Sequence, residues 1–132
     1  MSLNASSRVD GGGAAMTYDE IVSMVEAFGL PYAYDHYAEG EAPPLPYVVF
    51  LLPSTDNFFA DNSVYQQNTE LDIELYTDSK QPPLERRIET VLSNYEITWN
   101  KSEVWIDDEK MYEVRYSTII DYDATTDVET TE

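Results

Sequence analysis

The 132-residue sequence contains no cysteine, which removes disulfides, thiol nucleophiles and thiolate metal sites at once. Cations are almost as scarce. Seven Lys and Arg stand against 26 Asp and Glu, a formal net charge of −19. A DNA- or RNA-binding surface needs clustered Lys and Arg to displace counterions from phosphates. Only Arg86 and Arg87 are adjacent, and the other five basic residues are scattered. Sequence-independent binding to nucleic acid or to an anionic membrane is therefore not expected. No run reaches the roughly 18–20 apolar residues of a membrane span, and the N-terminus has neither the basic region nor the apolar core of a signal peptide. The expectation is a soluble protein made in the cytoplasm.

Groups that could do chemistry are equally few. The lone histidine, His36, lies beside Asp35 among tyrosines, a setting for a packing residue. No serine sits in a nucleophile-elbow sequence. The single glycine run, Gly11 to Gly13, lacks the following Lys of a phosphate-binding loop. Close carboxylate pairs arise by chance among 26 acids, and most are solvated faces. Asp56, Asn57, Asp61 and Asn62 put oxygen ligands in one loop, but without the alternate-residue ligands and central Gly of an EF-hand. Neither an enzyme nor a cofactor or metal site is expected.

What remains is a chain rich in core material. Its hydrophobic fraction is 42%, with 2 Trp, 11 Tyr and 4 Phe, which argues for a folded domain despite the charge. Residues 1–15 read as a flexible leader or extension, residues 16–122 as one domain with Met16 as its natural start, and residues 123–132 as an acidic tail. Residues 1–15 sum to zero through Arg8 and Asp10, and residues 121–132 hold five carboxylates and no cation. The body from Met16 to Ile120 thus carries −14 of the −19. The acidity belongs to the fold.

The pattern predicts two helices and four to five strands. Thr17 and Glu20 form a capping-box sequence, Ile21, Val22, Val25 and Phe28 recur at helical spacing, and Gly29 supplies the stop. A short extended segment follows at Pro31–Tyr37. Tyr47–Leu52 is a continuous apolar run, as in a strand buried on both faces. A short strand is expected at Ser63–Gln66. Glu70–Thr77 then alternates, with Leu71, Ile73 and Leu75 opposed to Asp72, Glu74 and Tyr76. A second helix with Asp78 or Ser79 as cap and Pro82-Pro83 in its first turn buries Leu84, Ile88, Val91, Leu92 and Tyr95. Ile97–Ile106 and Met111–Ile120 flank the turn Asp107–Lys110 as a hairpin. The fold class expected is α+β: a mixed or antiparallel sheet with both helices packed on one face.

Aromatics are the second excess. Tyrosine offers large contact area at low entropy cost and is enriched at interfaces. Tyr32, Tyr34, Tyr65 and Tyr112 lie on or near strands, and Phe58 with Phe59 lies in the polar loop Pro53–Asn62. These six are the candidate contact residues.

Four strings in order complete the reading: MTYDEIV at Met16–Val22, GLPYAYDHYAEGEAPPLPYVVFL at Gly29–Leu51, LDIELYTDSKQPPLERRIE at Leu71–Glu89 and SEVWIDDEKMYEVRY at Ser102–Tyr116. Together they resemble the small tail-completion or tail-terminator proteins of siphophages and prophages of Gram-positive bacteria, from Met16 to about Ile120. The order of all four carries the resemblance, since no single one is diagnostic. It implies an α/β fold with helices on one face and self-assembly into a ring, typically a hexamer. Such a ring stops tail-tube growth and docks on the head connector, with no catalytic residues. The implied partners are further copies of the chain, the tail tube protein and the head-proximal connector protein. DNA is implied only as passing cargo, and the place is the virion, assembled in the host cytoplasm. Six bodies would bring about −84 of formal charge around the channel, repelling DNA within a Debye length of ~10 Å. The competing expectations are a neighbouring head–tail connector component and an acidic inhibitor that mimics DNA.

Overall fold

The structure is a computed structural model and describes residues 15–55 and 66–127. The expected leader up to residue 14, the loop residues 56–65 and residues 128–132 lie outside the described residues, and so do Phe58, Phe59 and Tyr65.

Helix α1 spans Tyr18–Glu26. Thr17 is extended, its hydroxyl accepts the Glu20 amide at 3.2 Å, and the Glu20 carboxylate accepts the Thr17 amide at 3.0 Å. Two orphan donors of the first turn are thereby satisfied, as the capping-box sequence predicts. Ile21, Met24, Val25 and Phe28 are buried, so Met24 takes the central place expected of Val22, which is half-buried. The helix stops at Gly29, whose φ of +76° suits a residue without Cβ. Arg87 Nη1 donates to the Phe28 carbonyl at 2.9 Å, placing a cation at the negative end of the helix.

Strands β1 (Tyr32–Tyr34), β2 (Tyr47–Leu51), β3 (Gln66–Thr77), β4 (Asn100–Ile106) and β5 (Met111–Asp123) form one sheet in the order β1-β2-β3-β5-β4. Only β1 and β2 are parallel. The twelve residues from Asp35 to Pro46 make the crossover between them, about the minimum a parallel pair requires. The sheet is therefore mixed, with five strands, as expected. Strand β3 begins at Gln66 rather than Glu70 because β5 runs on to Asp123 and pairs with it throughout. Gln67 and Thr69 continue the inward phase of Leu71, but they are polar, so the alternation fades in the sequence. The bridge of Met16 to Tyr122 ties the start of α1 to the end of β5.

Helix α2 spans Pro82–Asn94, with Gln81 as N-cap and no side-chain cap bond. The expected caps Asp78 and Ser79 do not serve. Pro82 and Pro83 carry no N–H, and the Leu84 amide already bonds the Gln81 carbonyl at 3.0 Å, so the first turn has little left to cap. Both helices lie on the face that presents Val48, Phe50, Leu71, Ile73, Leu75, Val114 and Tyr116, and Ile88 and Leu92 join α2 to this core. The Phe50 ring lies 5.2 Å from Tyr34 and 6.2 Å from both Tyr18 and Tyr32. Phe50→Ala should cost about 3–5 kcal/mol in urea unfolding, and Thr17→Ala about 1 kcal/mol. An equal loss from the two would contradict this assignment of core and cap.

Candidate functional site

With both helices on one side, no helix covers the other side of the sheet, and the β1–β2 crossover lies against part of it. Strand periodicity assigns it Glu70, Asp72 and Glu74 from β3 and Glu113, Asp121 and Asp123 from β5. Arg115 is the one cation there, so six carboxylates share the face with a single guanidinium, which reaches three of them. Asp72 and Glu74 are only 4% and 8% exposed. Their neighbours on the pleat crowd them, and residues 35–40 with Ala42 line a depression shared with Glu74 and Tyr76.

Buried carboxylates need partners, and here each has them. Arg115 Nη2 contacts Glu74 at 3.0 Å and Glu113 at 2.9 Å, and Arg115 Nη1 lies 3.9 Å from Asp72. Ser117 donates to Asp72 Oδ1 at 2.8 Å, and the Tyr76 hydroxyl donates to Glu74 Oε1 at 2.8 Å. Both Glu74 oxygens are thus engaged within the protein. Burial pushes the Glu74 carboxyl above its ordinary range. The Tyr76 hydrogen bond and Arg115 pull it down, while Glu113 and Asp72 add to the rise. Burial and Glu74 together keep the Tyr76 phenol protonated far past its ordinary range.

A second network clamps α2 to the far edge of the sheet. Lys101 lies 2.8 Å from both Glu85 and Glu89, and Lys80 joins Glu85 at 2.7 Å and also pairs with Glu103. The buried Tyr116 hydroxyl donates to Glu89 at 2.8 Å. Burial would raise the carboxyls of Glu85 and Glu89, but the lysines outweigh it and hold both below their ordinary range.

The expected contact residues that fall within the described part do not form one patch. Tyr32 is half-buried on β1 and its hydroxyl donates to Glu26 at 2.7 Å. Tyr34, also on β1, is 42% exposed and packs edge-on against Tyr18 at 5.7 Å. Tyr112 lies on β5, its ring 4.8 Å from that of Trp105. Three strand spacings separate Tyr112 from the β1 pair, about 14 Å at ~4.8 Å each. His36 is exposed and bonds Asp35 at 2.8 Å. Among the described residues no group of three or more His, Asp or Glu is placed to hold a metal, and no helix is long and apolar enough to cross a membrane.

The Asp72–Glu74–Arg115 cluster was absent from the expected contact residues. Its signal was present: Asp72 and Glu74 oppose Leu71, Ile73 and Leu75, and Arg115 is the only cation in the strand after the turn. What was missing was the register that sets Glu74 opposite Arg115.

No family model and no curated protein matches the chain. Among solved structures, a chain described as "Virion of native gene transfer agent (GTA) particle" is similar over 89% of this chain and 90% of its own length, with 10% identity and a TM-score of 0.46. A likeness at that level carries no argument about function.

The two networks predict pH effects of opposite sign. Glu74 has a raised pKa in the folded state, so its stabilising contribution is present below about pH 4.5 and is lost as pH rises through the folded value. Glu74→Gln should therefore melt at or above the wild-type temperature at pH 7, with the advantage shrinking toward pH 4. Glu85 has a lowered pKa, so its contribution is present above about pH 4.5 and is lost as pH falls through the folded value. Glu85→Gln should lower the melting temperature at pH 7 and matter less in acid. Melting curves of both variants from pH 3.5 to 8 check the signs.

Proposed function

We propose that this chain is a structural virion protein that caps a phage tail tube as an oligomeric ring and forms the surface on which the head is joined. The observation that carries the reading is the helix-free sheet face, where six carboxylates share the surface with Arg115, three of them in contact with it, and the buried acids have their oxygens engaged internally. Such a face offers phosphate little to hold, because Arg115 is already bound by three acids. It suits a wall past which DNA slides without adhering, since like charges repel over a Debye length of ~10 Å. The resemblance of residues 16–120 to tail-terminator proteins supports the same assignment.

In this reading the partners are other copies of the chain, the tail tube protein and the head-proximal connector protein, with DNA as cargo only. The role is architectural and not enzymatic. The test is assembly. Tail tubes polymerised from the major tail protein of the same genome, incubated with the purified chain, should stop elongating and carry a ring at one end in electron micrographs. Tubes that keep growing and bear no ring would overturn the proposal. Capture of a nuclease by a strict monomer would instead support DNA mimicry.

A further inference from the structure

The helix-free face carries a depression of about 370 Å³, within the size range of small-ligand sites. Strand phase brings Tyr47 and Val49 of β2, Glu74 and Tyr76 of β3, Ile106 of β4 and Met111 of β5 to it. The β1–β2 crossover lines it with Tyr37 and Glu39, and the β4–β5 turn contributes Glu109. Three tyrosines run through it in contact. The Tyr37 ring meets Tyr47 edge-on at 5.1 Å, and Tyr47 lies 5.4 Å from Tyr76. All three are half-buried, so each keeps part of its ring open.

Among the described residues that line the depression there are four carboxylates and no lysine or arginine. Two of the four are already engaged. Glu74 accepts from Tyr76 and contacts Arg115, and Asp35 bonds His36 at 2.8 Å. Glu39 and Glu109 remain open: both are exposed, and among the described residues neither has an ion pair or a side-chain hydrogen bond. Lys110, next to Glu109 in the chain, bonds Asp107 instead at 3.3 Å. Residues 9–79 contain no lysine or arginine, so the crossover, β2 and β3 have no cation of their own to offer. Burial and the Glu109 charge hold the Tyr47 phenol above its ordinary range, which sets that carboxylate within electrostatic reach of the tyrosines. The Tyr37 hydroxyl is buried and has no hydrogen-bond partner among the described residues.

We propose that this depression binds a linear di- or polyamine, with ammonium ends at Glu39 and Glu109 and its methylenes across Tyr37, Tyr47 and Tyr76. The face of an aromatic ring attracts a cation through its quadrupole. The alkyl chain leaves water against the same rings and against Val49, Ile106 and Met111. A bare metal cation would meet the acids and gain nothing from the apolar lining, and an apolar ligand would leave both acids unanswered. Two open acids on two different elements suit a ligand charged at both ends better than a lysine side chain, which brings one charge. A small turn of the Tyr37 ring would let its orphaned oxygen accept from an ammonium N–H, relieving the cost of an unmade hydrogen bond. The site lies within one copy of the chain and stands apart from the ring reading.

The test is calorimetric titration at physiological ionic strength with α,ω-diamines of increasing length, spermidine, butylamine, Mg²⁺ and a lysine peptide. A two-ended site has a chain length of tightest binding, and it holds that diamine several-fold more tightly than butylamine or Mg²⁺. Glu39→Gln and Glu109→Gln, both at exposed positions, each weaken the diamine several-fold and flatten the dependence on length. Asp19→Asn, an exposed acid of α1 across the sheet, leaves it unchanged. Tyr37→Leu, checked for native melting, weakens the diamine and not Mg²⁺. Binding that follows charge alone, with Mg²⁺ equal to the diamines and Asp19→Asn equal to the glutamate variants, would overturn the proposal. So would a lysine peptide that binds more tightly than every diamine, or no heat from any amine.

Discussion

Strands β3 and β5 face each other over twelve consecutive residue pairs, from Gln66 opposite Asp123 to Thr77 opposite Tyr112. The rest of the structure depends on that ladder. Side chains in a strand alternate with a period of two, so a one-residue slip would move Leu71, Ile73 and Leu75 away from the helices and bring Asp72 and Glu74 into the core. The unbroken register forbids this. It also places Tyr116 beneath α2, where its hydroxyl reaches Glu89, and Arg115 on the opposite side between Glu74 and Glu113. One ladder thus sets the core, the seat of α2 and the chemistry of the open face together.

The second constraint is the charge. A chain at −19 repels itself, and the compact state must find relief within seven cations. Three of the cations stand where carboxylates lose water. Arg115 serves Asp72, Glu74 and Glu113, and Lys80 and Lys101 serve Glu85, Glu89 and Glu103. Exposed acids such as Asp19, Glu39 and Glu41 keep their water and need no such partner.

Local signals were legible in the sequence wherever one residue's chemistry decides one turn of backbone. Thr17 with Glu20 announces the start of α1 and Gly29 its end, because cap hydrogen bonds and a positive φ are satisfied within a few residues. The turn from Asp107 to Lys110 and the inward phase of Leu71, Ile73 and Leu75 were equally readable. Legibility failed where a partner distant in the chain makes the choice. The expected caps Asp78 and Ser79 are idle because two prolines leave the first turn of α2 almost nothing to cap. Strand β3 begins early because β5 is there to pair with Gln66. The distance between Tyr32 and Tyr112, three strand spacings, follows from the strand order alone.

By itself, then, the sequence determined the class of fold, the two helices, the cap and stop of α1, the inward face of β3 and the exclusion of thiol chemistry. Each of these follows from residue type and short-range period. Tertiary structure alone decided the strand order β1-β2-β3-β5-β4, which edge is left open, and which acids are buried beside which cation. Those outcomes depend on contacts between residues such as Asp72 and Ser117, 45 positions apart, whose pairing no local period encodes.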